Sequence, residues 1–196
     1  MQRVAAGVKT STKTLLAALA FIIGSLATPP PAGAANLEPH VMIVTDQGAI
    51  EVVVDAKHAP ISAANFLRKV DGKFYNGGTF FRAVPGFVIQ GGNKDRETPS
   101  DAKIPLEPTL KTGLKHLDGT LSMARTSEPD SATSEFFICV GPQTALDASS
   151  LASPGYAAFG RVLSGMAIVR KIVAMPAENQ QLSKPVRIIK MYRKSR

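Results

Sequence analysis

The sequence predicts a mainly β protein in which a closed sheet of about eight strands is covered at its ends by two helices. Short apolar segments dominate the 196-residue chain and alternate with turns that contain glycine or proline, while only two segments have helical periodicity. A long open sheet would leave unpaired edges, which a closed sheet avoids. Because neither a repeat nor a linker divides residues 35–196, we expect a single domain there.

The first 34 residues have the features of a secretory signal peptide. A positive start, with no acidic residue before Glu38, leads into an apolar run over 15–27 that is shorter than the roughly 20 residues needed to span a bilayer. Ala32 and Ala34 then form an A-x-A cleavage site. We therefore expect export and cleavage after Ala34. An uncleaved membrane anchor is the alternative.

The charge of the exported part is modestly positive. Three of the 23 basic residues precede residue 35, so 20 basic and 15 acidic side chains remain and the net charge is +5. Six of these basic residues lie in a C-terminal tail over 184–196, which either contacts phosphate or anionic lipid or is a solvated end. We expect no nucleic-acid partner and, after cleavage of the leader, no stable membrane insertion.

Eight segments predict the strands of the sheet. Residues 41–45 and 49–54 flank Gly48, which suits the positive φ of a tight turn. Residues 79–84 and 86–92 lie on either side of the reversal at Pro85-Gly86. The other four segments cover residues 119–124, 135–140, 156–162 and 184–192.

Two segments predict helices. The first begins at Pro60, a residue suited to a first helical turn, and ends at Gly72. The second covers residues 165–174, with apolar residues at helical spacing. Between the strands, residues 93–118 have no sustained period and predict one long excursion, which is a common place for a binding surface.

The sequence lacks the motifs of covalent and metal-assisted catalysis. It contains no G-x-S-x-G, H-E-x-x-H, C-x-x-C or phosphate-binding glycine loop, and its three histidines share no ligand spacing with a cysteine or carboxylate. The single Cys139 excludes an internal disulfide and is expected to be a buried strand residue, since a reactive thiol would need basic neighbours. We expect neither a metal nor a cofactor.

The stretch "FFRAVPGFVIQGG", residues 80–92, places Arg82 and Gln90 among apolar residues. A strand arginine whose stem covers apolar surface would explain Arg82, and a hydrogen bond that closes the turn would explain Gln90. Strict alternation puts Phe87 and Gln90 on opposite faces of one strand, so both line one groove only if a bulge or the turn after Pro85 shifts the register.

Several motifs in order resemble the cyclophilin family of peptidyl-prolyl cis/trans isomerases. They are "HAPISAANFLRKVDGKFYNGGTFFR", "FFRAVPGFVIQGGN", "GTLSMARTSEPDSATSEFFICV" and "YAAFGRVLSGMAIVRKI", and the likeness runs from about Val41 to Tyr192. The leader and the "MARTSEPDSATSEFF" wording are most similar to bacterial periplasmic cyclophilins. The resemblance implies an eight-stranded antiparallel barrel capped by two α-helices, with a substrate groove on its outer face and no metal or cofactor.

The resemblance also implies roles for single residues. Arg82 falls at the family's catalytic arginine, Phe87 at its proline-pocket phenylalanine and Gln90 at its substrate-binding glutamine. The other implied substrate-binding positions are Phe81, Val88, Met123, Ala124, Arg125, Glu135, Phe137, Leu146 and Tyr156.

Four positions depart from the family pattern. Phe81 replaces a common histidine, Val88 a pocket methionine, Glu135 a common glutamine and Ala145 an aromatic residue. Because the family's aromatic residue at position 145 contacts cyclosporin, we expect weak cyclosporin binding at most. Glu135 either favours peptides with a basic flank or holds the guanidinium of Arg82 out of line.

The expected function is isomerisation of X–Pro bonds in proline-containing polypeptides, by a monomer in the bacterial periplasm or outside a cell that has no outer membrane. One alternative is a proline-peptide-binding chaperone or assembly factor with weak or no isomerase activity. Another is a basic protein that contacts nucleic acid or an anionic surface.

Overall fold

A computed structural model describes residues 38–97, 102–150 and 152–195. The predicted leader and its cleavage site lie outside these residues and stay predictions. In the described part of the chain, no helix is both long enough and apolar enough to cross a membrane.

Eight strands form a closed antiparallel barrel, which confirms the predicted fold class. Around the barrel, β1 is followed by β2, β7, β5, β6, β4, β3 and β9, and β9 pairs back with β1. A further two-residue strand, β8, forms a hairpin with the start of β9. The strands are β1 His40–Thr45, β2 Gly48–Val54, β3 Thr79–Val84, β4 Val88–Gly92, β5 Thr120–Met123, β6 Phe136–Cys139, β7 Ala158–Ser164, β8 Ala177–Glu178 and β9 Gln181–Arg193.

Both predicted helices are present, as α1 over Pro60–Asp71 and α3 over Met166–Val173. A single turn, α2 over Thr109–Thr112, lies in the long excursion and was not predicted. The excursion docks on the start of α1 through the buried Glu107, which accepts hydrogen bonds from the backbone N–H groups of Ile61 at 2.9 Å and Ser62 at 2.7 Å. This carboxylate therefore satisfies helix N–H groups that no residue next to the helix caps.

The core fills the inside of the barrel and extends under α1. The Phe66 ring of α1 lies 5.4 Å from Phe136 and 5.2 Å from Phe159, measured between ring centroids. All three residues are fully buried. A second, smaller apolar cluster lies apart from this core and contains Val88 and Phe137. Since side chains alternate along a strand, the second cluster belongs to the outer face of β4 and β6.

Candidate active site

Arg82 points out of the barrel because β3 has a bulge beside it. Phe80 pairs with Gly91 and Arg82 pairs with Gln90, which leaves Phe81 as an extra residue between them. In a regular strand Phe80 and Arg82 would share one face. With the extra residue, Phe80 is fully buried in the core while Arg82 reaches the outer face. The bulge thus explains how a guanidinium fits into so apolar a stretch.

The turn before β4 brings Phe87 and Gln90 to the same place. Strand β4 begins only at Val88, so Phe87 belongs to the turn and does not follow the alternation of the strand. Val88 and Gln90 then share the outer face, and Ile89 points into the core. This arrangement resolves the conflict that strict alternation predicted.

A cavity of about 180 Å³ opens on this outer face. It is smaller than the roughly 300–1,000 Å³ of sites for drug-sized ligands, and its size suits one small ring. Its apolar wall is the second cluster, where Phe137 is 4% exposed and meets the Tyr156 ring edge-on at 5.6 Å. The lining residues are Arg82, Phe87, Val88, Gln90, Ala124, Arg125, Phe137, Leu146 and Tyr156.

Two glutamine side chains hold the guanidinium of Arg82 beside the cavity. Its Nη1 donates to Gln90 Oε1 at 3.1 Å, and its Nε and Nη2 donate to Gln180 Oε1 at 2.9 and 2.5 Å. Within the described residues Arg82 forms no ion pair. A guanidinium has five N–H groups, so these three bonds leave two for a ligand in the cavity.

A family profile decides the identity of this barrel. The profile described as "Cyclophilin type peptidyl-prolyl cis-trans isomerase/CLD" matches residues 40–193. The chain belongs to the cyclophilin family. It is therefore a peptidyl-prolyl cis/trans isomerase of the cyclophilin type.

Bacterial relatives agree with this assignment. This cyclophilin is 43% identical over 169 residues to peptidyl-prolyl cis-trans isomerase A of Dickeya dadantii, a match that covers 86% of this chain and 88% of that protein. It is 41% identical over 187 residues to a peptidyl-prolyl cis-trans isomerase of Acinetobacter baylyi, covering 92% and 97%. The expected likeness to bacterial cyclophilins is confirmed, whereas the periplasmic location stays a prediction.

Solved structures agree with the fold. A crystal structure of a cyclophilin type peptidyl-prolyl cis-trans isomerase from Cryptosporidium parvum superposes with a TM-score of 0.72 at 22% identity, covering 82% of this chain and 99% of that one. The same Cryptosporidium protein was also crystallised in the presence of the dipeptide Ala-Pro, and that structure superposes with a TM-score of 0.70.

Glu135, one of the departures of this cyclophilin from its family pattern, bonds to Gln90 and not to Arg82. Gln90 Nε2 donates to Glu135 Oε2 at 2.7 Å, which turns the amide oxygen of Gln90 toward Arg82. The other carboxylate oxygen lies 3.8 Å from Lys94 Nζ, and this ammonium also stands 3.9 Å from the centroid of the Phe81 ring. Glu135 and Phe81 therefore lie beside the cavity and do not line it.

The structure does not bring the Met123 side chain to the cavity. Met123 pairs with Phe136, and both side chains lie in the core, where Met123 is 1% exposed. The next residue, Ala124, is the one that faces the cavity. The pleat of β5 points the Met123 side chain inward, and the predicted substrate contact of this residue stays a prediction.

The Arg125 side chain buttresses the far wall of the site. Its Nε and Nη2 donate to the Gly155 carbonyl at 3.0 and 2.8 Å, and its Nη1 donates to the Thr126 carbonyl at 2.8 Å. The guanidinium carbon also stands 4.6 Å from the centroid of the Tyr156 ring. These contacts leave Arg125 as a fixed part of the wall.

Cys139 lies under the apolar wall and is fully buried, as predicted. Burial raises the pKa of its thiol to about 12. In the ranges that the structure covers, no three His, Cys, Asp or Glu side chains are grouped as ligands for a metal ion.

Sequence reasoning missed Gln180, which lies in the turn between β8 and β9. The turn is built from Asn179 and Gln180, both with positive φ, and the N–H of Ala83 donates to the Gln180 carbonyl at 2.9 Å. Asparagine tolerates positive φ, so Asn179 was a weak signal for a turn. Nothing in the sequence linked that turn to Arg82, which is 98 residues away.

Proposed function

We propose that this cyclophilin isomerises X–Pro bonds in exported polypeptides and that Arg82 is its catalytic residue. The observation that carries the proposal is the position of the guanidinium. It lies beside a ring-sized cavity with an apolar wall, and two of its N–H groups are unused by the described residues.

The chemistry that Arg82 would assist is a rotation. An X–Pro bond resists rotation by roughly 18–20 kcal/mol because the prolyl nitrogen shares its lone pair with the carbonyl group. Without a catalyst, isomerisation therefore takes tens to hundreds of seconds. At the half-rotated transition state this sharing is lost, and the nitrogen becomes a better hydrogen-bond acceptor.

A donor aimed at that nitrogen stabilises the twisted state more than the planar state, and such differential binding lowers the barrier. Two strong hydrogen-bonding effects of about 2–3 kcal/mol each would accelerate rotation several thousandfold. Arginine suits the role because it stays protonated when half-buried. No nucleophile, metal or cofactor takes part in this scheme.

The apolar wall would hold the proline ring while the preceding carbonyl rotates. Phe87, Phe137 and Leu146 contribute apolar surface on the cavity side. The last two are at most 9% exposed, so they form a fixed wall that packs against the ring. Gln90 lies between this wall and Arg82, where its remaining amide proton is available to a peptide carbonyl.

A protease-coupled assay on a short X–Pro peptide tests the role of Arg82. We expect Arg82→Ala to lower kcat/KM by about a hundredfold, mainly through kcat, because the lost contact is made in the transition state. Arg82→Lys should recover only part of this loss, since an ammonium lacks the planar fork. The matched control is Arg170→Ala, which removes an exposed arginine bonded to Asp118 at 2.6 Å.

Two results would contradict the proposal. If Arg82→Ala had the same kcat/KM as the wild type, Arg82 would have no role in catalysis. Wild-type rates no faster than buffer, with retained peptide binding, would favour the alternative of a proline-peptide-binding chaperone or assembly factor.

Export is tested by fractionating cells that produce the full chain. The N-terminal composition of residues 1–34 supports export to the periplasm, and we expect the mature protein there to begin at Ala35. Recovery of full-length protein in the cytosol would contradict this part of the proposal and leave the role of Arg82 unaffected.

A further inference from the structure

A chain of three hydrogen-bonded polar side chains, two of them fully buried, lies behind the apolar wall. His116 Nδ1 lies 2.7 Å from Asp147 Oδ1, and His116 Nε2 lies 2.9 Å from Ser122 Oγ. His116 and Ser122 are fully buried. Neither residue lines the cavity, and the proposed isomerisation uses neither.

The order Asp–His–Ser matches that of a hydrolytic triad, but this serine has no access to a substrate. Ser122 is 0% exposed and its hydroxyl is bonded to His116 inside the protein. A nucleophile must reach the reacting carbonyl. The chain therefore calls for a different explanation.

His116 contacts one wall of the cavity directly. Its ring stacks on the Phe137 ring with centroids 6.0 Å apart and planes 19° apart. Phe137 also meets Tyr156 edge-on at 5.6 Å. The Phe137 ring is thus in contact with both the imidazole and a second wall residue.

His116 also fixes the segment that carries Leu146, a further residue of the apolar wall. The backbone N–H of His116 donates to Asp147 Oδ1 at 3.0 Å, so the residue directly after Leu146 is bound by both the ring and the backbone of His116. On the other side of this turn, the N–H of Gln143 donates to the His116 carbonyl at 2.7 Å.

We propose that His116 is a positioning residue that sets the apolar wall for the proline ring, holding Phe137 by stacking and Leu146 through Asp147. The proposal rests on the function proposed above, because it assigns this wall to substrate binding. Neither the strand pattern nor the stretch over residues 80–92 points to His116.

Two hydrogen bonds fix the plane of the imidazole. An apolar ring in the same space would lack both bonds, and its plane would be held by packing alone. Burial lowers the pKa of His116 and favours the neutral ring, although Asp147 acts in the opposite direction. In the neutral ring, Nδ1–H donates to the Asp147 carboxylate and Nε2 accepts from the Ser122 hydroxyl. The ring therefore cannot turn without breaking one of the two bonds.

The test compares His116→Phe and Ser122→Ala with the wild type. His116→Phe keeps a ring against Phe137 but removes both ring hydrogen bonds, and Ser122→Ala removes one bond while the imidazole stays. We expect His116→Phe to weaken the Kd for a short X–Pro peptide about tenfold and to leave kcat within about twofold. Ser122→Ala should act in the same direction but less strongly. NMR signals of the Phe137 ring and the Leu146 methyl groups should shift in both variants.

The matched control is His58→Phe. His58 Nδ1 lies 2.8 Å from Asp55 Oδ2 in a comparable His–Asp pair, but neither residue lines the cavity. All values are referred to the folded fraction, measured by urea unfolding, so that lost stability is not counted as lost affinity.

If the peptide Kd of His116→Phe and its Phe137 and Leu146 NMR signals were the same as those of His58→Phe, the role of His116 would be merely structural. If His116→Phe does not fold, Ser122→Ala decides the test. A peptide Kd and Phe137 and Leu146 NMR signals in Ser122→Ala that equal those of the wild type would overturn the proposal. A wild type that binds the peptide without turnover would refute catalysis alone, because the Kd comparison does not depend on turnover. A wild type without peptide binding would refute the proposed function, and the two NMR signals would still decide whether His116 sets the wall.

Discussion

Gln90 and Gln180 hold the Arg82 guanidinium from two sides through neutral amide oxygens. A carboxylate in either place would satisfy the same N–H groups but would also neutralise the charge that the twisted prolyl amide needs. The nearest acid in this network, Glu135, is separated from Arg82 by the Gln90 amide. Its expected preference for peptides with a basic flank stays a prediction, and such a flank would compete with Lys94.

Gln180 should matter to catalysis although it is exposed and lies in a turn. We expect Gln180→Ala to lower kcat/KM about tenfold, because the guanidinium loses two of its three bonds and its fixed orientation. Gln180→Glu should lower kcat/KM further by pairing with the charge. The measurement is the coupled assay, with Gln47→Ala as the control. Activity of Gln180→Glu equal to the wild type would show that the charge on Arg82 is not needed.

The bulge in β3 depends on close contact between β3 and β4. At Gly91, a Cβ atom would lie 2.7 Å from Phe80 Cδ1 and 2.8 Å from the Thr79 carbonyl oxygen. These atoms belong to the two residues directly before the bulge that turns Arg82 outward. Strand β4 therefore accepts only glycine at this position without a shift of its neighbour.

Gly91→Ala should lower the free energy of unfolding by about 1–3 kcal/mol, because the two strands must move apart. It should also lower kcat, since the shift reaches Arg82. Urea unfolding and the coupled assay measure the two effects. Gly72→Ala, where φ is −74° and the nearest atom to the new Cβ would be 3.3 Å away, is the milder control. Equal stability of the two variants would show that the strands separate at little cost.

The larger elements were predictable from the sequence because each has its own periodicity and its own turn residues. The eight main strands and both longer helices appear where the patterns indicated. The bulge at Phe81 and the two-residue β8 were not predictable, because each is defined by its pairing with a distant strand. The cavity residues were named from the family resemblance. Gln180 and His116 carried no such signal, since their roles arise only from tertiary contacts.

Acid should destabilise the whole barrel in two steps. Burial lowers the pKa of His116 below its ordinary 6.5, so below that pH the unfolded chain takes up a proton that the folded chain resists. Hydrogen bonds from His40 and then from Lys194 lower the pKa of Glu51 below its ordinary 4.5. Each contribution is complete above the ordinary value and is lost as the pH falls through the lower, folded-state value.

Urea unfolding at about pH 7.5, 5.5 and 4 measures these steps. We expect the midpoint to fall at each decrease in pH, and His116→Phe should show a smaller first decrease but the same second one. Midpoints that are independent of pH would contradict both assignments.

The inaccessible sulfur of Cys139 also determines when this chain can form a disulfide with another molecule. Only a thiolate exchanges with a disulfide. A thiol with a pKa of about 12 and no exposed surface therefore reacts only after the apolar wall opens. In an oxidising environment, newly made chains are therefore vulnerable to mixed disulfides until β6 is in place between β4 and β5. Once the barrel has closed, the rate of thiol modification reports how often this part of the sheet opens.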